Sequence, residues 1–112
     1  MRTLPAFCCA IPALVSLGSA QTVQLLPSDL ASYDKFGWSV SVDSGCVLAG
    51  SRDDDDSGSG SGSAYLFVLP TGPYPGIQNE LIKFTASNGQ AGDSFGNRAS
   101  LNDGLALIGA WL

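Results

Sequence analysis

The chain has 112 residues, ten acidic and five basic side chains and no histidine, for a net charge of −5. That balance argues against nucleic acid and against anionic membrane surfaces, both of which would repel it. The lack of histidine removes the commonest general base, the usual zinc sites and every His-containing triad, so the chain reads as non-enzymatic.

In chain order, residues 1–20 read as a secretory signal peptide. Met1 and Arg2 give a positive start, residues 4–17 are almost wholly apolar, and Gly18-Ser19-Ala20 supplies small residues before Gln21. The apolar run is short for a bilayer span, so cleavage after Ala20, export and no membrane insertion afterwards are expected. Loss of Arg2 leaves residues 21–112 with four basic and ten acidic side chains, a charge of −6. Cys8 and Cys9 leave with the signal. Cys46 alone remains, which rules out an internal disulfide framework and suits a small core residue beside Val47 and Leu48.

Short β-prone runs then follow one another, separated by Gly, Ser, Asp and Pro. Val23-Gln24-Leu25 alternates, as does Trp38-Ser39-Val40-Ser41-Val42, and residues 46–49 form a short apolar run. Residues 64–69 read as a strand rich in aromatic and aliphatic side chains, Ile82-Lys83-Phe84 alternates again, and residues 105–108 repeat the Cys46 run. No stretch has helical periodicity with caps. The Gly/Ser alternation at residues 57–63 lies between two strands and reads as a hairpin loop. The segment 69–76 carries three prolines, which cannot join a central ladder.

These runs recur with a period of 59. Asp34-Lys35-Phe36-Gly37 returns as Asp93-Ser94-Phe95-Gly96, and without gaps Ser41 falls on Ser100, Gly45 on Gly104, Leu48 on Leu107 and Gly50 on Gly109. Upstream, Val23-Gln24-Leu25 falls on Ile82-Lys83-Phe84. The fold class expected is therefore all-β, with four antiparallel strands per period, the pattern of a β-propeller blade. The domain reading is signal peptide 1–20, a lead-in strand and turn 21–33, a first repeat 34–92 and a partial second repeat 93–112. Leu112 falls where the first copy has Asp53, so further repeats of the same chain are expected. In the Asp-x-Phe-Gly turns, Asp34 and Asp93 are expected to accept backbone N–H bonds. Phe36 and Phe95 are expected to plug the space between blades.

One segment offers ligand chemistry. Asp53-Asp54-Asp55-Asp56-Ser57-Gly58 places oxygen donors at alternate positions before a Gly that permits a sharp bend, which suits calcium, a hard cation taking six to eight oxygens. Asp53, Asp55 and Ser57 are the leading metal ligands, with Asp54, Asp56, Ser59 and Ser61 as further donors. Four adjacent carboxylates repel unless a cation joins them. No Glu follows at the twelfth position, so the loop is not an EF-hand. A solvated acidic loop that discourages edge-to-edge pairing is the alternative.

Phe36-Gly37 with Leu48-Ala49-Gly50-Ser51, and Phe95-Gly96 with Leu107-Ile108-Gly109-Ala110, resemble FG-GAP repeats, the units of the integrin α-subunit β-propeller. The tract from Gly50 through the Asp run to Ser63-Ala64-Tyr65-Leu66-Phe67, and Ala86-Ser87-Asn88-Gly89-Gln90-Ala91-Gly92-Asp93, are similar to the variant of secreted FG-GAP proteins. The first copy departs from the family at Gly50-Ser51-Arg52, where Gly-Ala-Pro is usual. The resemblance implies a blade-type sheet, structural calcium in the loop between two strands, and adhesion or ligand binding. The function expected is a secreted, non-catalytic binding or adhesion module with an unidentified protein or glycan partner. The alternatives are an accessory propeller segment of a larger secreted enzyme, and a small protein that assembles blades between chains. Trp38, Tyr65, Tyr74 and Trp111 are available to a binding face, although aromatics in repeats usually pack in the core.

Overall fold

The computed structural model describes residues 22–72 and 76–111; residues 1–20, the expected signal peptide, and Tyr74 lie outside the described residues. Those residues contain eight strands and no helix: β1 (Gln24–Leu25), β2 (Phe36–Asp43), β3 (Cys46–Ser51), β4 (Ser63–Val68), β5 (Ile77–Gln78), β6 (Ile82–Phe84), β7 (Arg98–Asn102) and β8 (Leu105–Gly109). Four of them form an antiparallel sheet in the order β2-β3-β4-β6, β7 and β8 form an antiparallel hairpin, and β1 pairs in parallel with β5.

β3 lies between β2 and β4 with both faces covered, which is why its sequence is an unbroken apolar run rather than an alternation. Two-residue turns set the hairpins. Ser44 and Gly45 have φ of 49° and 78°, and Asp103 and Gly104 repeat them at 50° and 80°. Positive φ at both central residues is the turn whose twist matches paired strands. On one face of the sheet, Val47, Ala49, Tyr65 and Phe67 form the core, with Leu25, Phe36 and Leu69 packed against it. Phe36 meets Tyr65 and Phe67 edge-on, both at 5.8 Å between ring centres. It therefore fills its own blade's core rather than the gap between blades, because a bulge between Phe36 and Ser39 turns it onto that face.

The other face receives the second repeat. Gly50 and Gly96 come so close that a Cβ on Gly50 would sit 1.9 Å from the Gly96 carbonyl oxygen. Ser39 Oγ donates to that same oxygen at 2.7 Å. Further along β2, Ser41 Oγ accepts from Leu101 N at 2.9 Å, and Asp43 Oδ2 accepts from Asp103 N at 2.7 Å. Alternate positions of one strand thus hold three points of the second repeat's backbone. The Gly/Ser loop completes the seat: Gly92 N, Ser94 N and Phe95 N donate to the carbonyls of Ser59, Gly60 and Ser61.

The four-stranded blade is drawn from residues 36–84. Its fourth strand, β6, lies within residues 34–92 and pairs with β4, although it is the sequence copy of the lead-in Val23-Gln24-Leu25. β1 stays outside the four-stranded sheet. Its partner β5 follows the proline segment and is too short to announce itself by alternation.

Candidate functional site: the acidic loop and its lysine

Residues 52–62 connect β3 to β4, and their carboxylates point in different directions. Asp54 is almost fully buried. Its Oδ1 accepts from Asp56 N at 2.9 Å, closing a local turn, while Oδ2 lies 2.8 Å from the Tyr65 hydroxyl. That hydroxyl is also 3.0 Å from Asp29 Oδ1, and its single proton serves either carboxylate. β4 aims Tyr65 inward, and the ladder pairs Tyr65 with Lys83 on β6, so both side chains rise on one face.

Lys83 then meets three carboxylates. Its Nζ is 2.5 Å from Asp29 Oδ2 and 3.1 Å from Asp54 Oδ2, and it also bonds Asp56 Oδ2. The ammonium lies 5.3 Å from the centre of the Tyr65 ring, an additional cation–π contact. Burial by itself would lower the Lys83 pKa, but its bonds to Asp29, Asp56, Tyr65 and Asp54 outweigh burial and hold it above the usual lysine range. Burial would likewise raise the Asp54 pKa. The Asp56 N–H, the Tyr65 hydroxyl and Lys83 reverse that and keep Asp54 below the usual carboxylate range. Tyr65 is raised, first by burial and then by the neighbouring Asp54.

The expected leading ligands go elsewhere. Asp53 forms ion pairs with Lys35 at 2.8 Å and Arg52 at 3.1 Å. The Lys35 bond is the first cause of its lowered pKa, with burial opposing and Arg52 assisting. Asp55 Oδ1 accepts from Gly60 N at 2.8 Å. Ser57 enters through its backbone, its N donating to Ser61 Oγ at 3.1 Å, and Ser59 gives its carbonyl to Gly92 N at 2.9 Å. The group brought together is instead Asp29, Asp54 and Asp56, whose ligand oxygens lie within 4.8 Å of one another. Sequence reasoning missed Asp29 and Lys83 because neither belongs to the loop. The available signal was the charge at Lys83, set between two apolar residues in a strand.

Three carboxylates at that spacing could hold a metal ion, and an all-oxygen donor set suits calcium. As arranged, however, the residues do not fit a bound ion. The Lys83 ammonium bonds all three carboxylates, so an ion would have to displace it.

Arg52 also reaches over Trp38, its guanidinium carbon 4.3 Å from the ring centre, leaving half of the indole exposed. Trp111 is exposed as well, whereas Tyr65 is core. Cys46 is half-buried and lines a 180 Å³ pocket, mostly apolar, with Leu66 and Leu101 between the tips of the two hairpins.

A four-stranded antiparallel blade with a second repeat docked against its face defines a repeat protein of the β-propeller class. A family model described as FG-GAP repeat matches residues 20–67 and 79–112, and the chain belongs to that family. No curated protein and no solved structure was found to match it. No helix among the described residues is long and apolar enough to cross a membrane.

Proposed function

We propose that the chain is a secreted, non-catalytic binding or adhesion module, a β-propeller segment that presents loops and exposed aromatic side chains to a protein or glycan. The observation that carries this reading is the way the two repeats dock. Gly50 meets Gly96, the 57–63 loop cradles the next Asp-x-Phe-Gly turn, and Ser39, Ser41 and Asp43 bond the second repeat's backbone, which together build a rigid scaffold. Scaffolds of this kind leave function to what their loops and edges display. Trp38, flanked by Arg52 and Lys35, is such a display: a flat apolar surface bordered by positive charge on an otherwise acidic chain. Export rests on the signal-like residues 1–20 and on the extracellular setting typical of FG-GAP repeats. Calcium enters only as a competitor of Lys83 for the same carboxylates.

Expression with residues 1–20 in place, followed by N-terminal sequencing of the culture medium and binding to immobilised glycans and extracellular-matrix proteins, tests the reading. A secreted product beginning at Gln21, with binding that Trp38→Ala weakens, is expected. Intracellular retention with residues 1–20 still attached would contradict it.

A further inference from the structure

We propose that Lys83 is the resident cation of the acidic loop: its ammonium neutralises the Asp29–Asp54–Asp56 trio, so that this blade holds together without calcium. The geometry carries the proposal. A lysine ammonium has three N–H donors, and here it faces three carboxylates from two separate stretches of chain, the lead-in turn (Asp29) and the loop (Asp54 and Asp56). Its own strand is a third stretch, and the ladder fixes it there, because Lys83 is the register partner of Tyr65, whose hydroxyl bonds the same Asp54 and Asp29. Backbone pairing thus fixes the position of the lysine's Cα beside the acids independently of its ion pairs.

Competition with a free ion follows from that tethering. A group held on the same fold acts at an effective concentration in the millimolar range or above, whereas loops of extracellular modules bind calcium at roughly 0.1–1 mM. A calcium ion would gain the trio only by expelling a charge that is already bonded, and the expelled lysine stem is four-fifths buried. The repeat itself supplies the control residue. Lys83 falls on Gln24 in the 59-residue register, so Lys83→Gln is the exchange the chain already makes between its two copies. Without the ammonium, Asp54 remains buried beside two other carboxylates with no cation, an arrangement that destabilises strongly unless another cation enters.

The test uses the full chain and the Lys83→Gln variant, melted in EDTA and in about 1 mM calcium, with terbium as a luminescent calcium substitute excited through Tyr65. Wild type is expected to melt at the same temperature in both buffers and to give no sensitised terbium emission. Lys83→Gln is expected to melt roughly 10 °C lower in EDTA, to recover most of that loss in calcium, and to show terbium emission that a further Asp54→Asn exchange removes. Stabilisation of wild type by calcium as large as that of the variant would overturn the proposal. So would a variant that calcium neither folds nor stabilises.

Discussion

Leu48 and Leu107 occupy the same place in two copies of one repeat, yet Leu48 is fully buried and Leu107 is 71% exposed. The backbone does not account for the difference. Lys35 and Ser94 have φ of 56° and 50°, Gly37 and Gly96 of 86° and 92°, and each Asp-x-Phe-Gly turn is closed by the same aspartate bond, Ala31 N to Asp34 Oδ2 and Gln90 N to Asp93 Oδ2. What differs is the neighbour. β3 has β4 beside it and the second repeat across its face, whereas among the described residues β8 is paired only with β7 and nothing lies across its face. In this fold local geometry is written into each copy, whereas burial is conferred by the strands and the adjoining copy packed around it.

Glycine exchanges at equivalent positions break the comparison most sharply. Gly37 and Gly96 share a positive φ, but a Cβ at Gly37 meets nothing within 4 Å, whereas one at Gly96 would lie 2.2 Å from the Ser63 carbonyl oxygen. Gly37→Ala should therefore cost only the left-handed backbone penalty, about 1 kcal/mol. Gly96→Ala adds a backbone clash that must separate the repeats, for a total of about 3 kcal/mol or more. Urea denaturation of the two variants measures the gap. Leucine truncation is next: Leu48→Ala should cost about 3 kcal/mol through lost burial and a cavity. Leu107→Ala should stay within about 0.5 kcal/mol, and equal losses would mean that Leu48 is no better covered than its copy.

A smaller effect separates the copies by pH. The acidic loop is described only in the first, where the Asp53 and Asp54 pKa values lie below their ordinary value. Depressed carboxylates contribute stability that is complete above the unfolded value of about 3.9 and is lost as pH falls through the folded one. Lys83 and Tyr65 are raised, so their contribution is complete below about 10 and is lost as pH rises through their higher folded values. With no histidine to titrate between these limits, stability should be flat from about pH 5 to pH 9. It should fall in acid, with the near-ultraviolet signal of Tyr65 changing as its bond to Asp54 is lost.

Much of this was legible in the sequence. The period of 59, the strand runs and the tight turns at Gly45 and Gly104 follow from alternation and turn chemistry, which are local properties. Two features were not. β6 joins the blade whereas its sequence copy β1 does not, because sheet membership depends on which edge is free and not on the local run of residues. The acidic site likewise looked local, a D-x-D-x-S spacing in one loop. Its convergent members include Asp29 and Lys83, 25 residues before Asp54 and 29 after it, which only strand pairing brings together.

Amide hydrogen exchange on the 112-residue chain tests the central claim most directly, that the first repeat seats the second through the loop 57–63. Gly92 N and Ser94 N donate to Ser59 and Gly60, each at 2.9 Å, whereas among the described residues no such bond holds their equivalents, Tyr33 N and Lys35 N. The account predicts slow exchange at Gly92 and Ser94 and fast exchange at Tyr33 and Lys35, with Gly96→Ala abolishing the difference. Equal exchange in the two turns of the unmutated chain would contradict it.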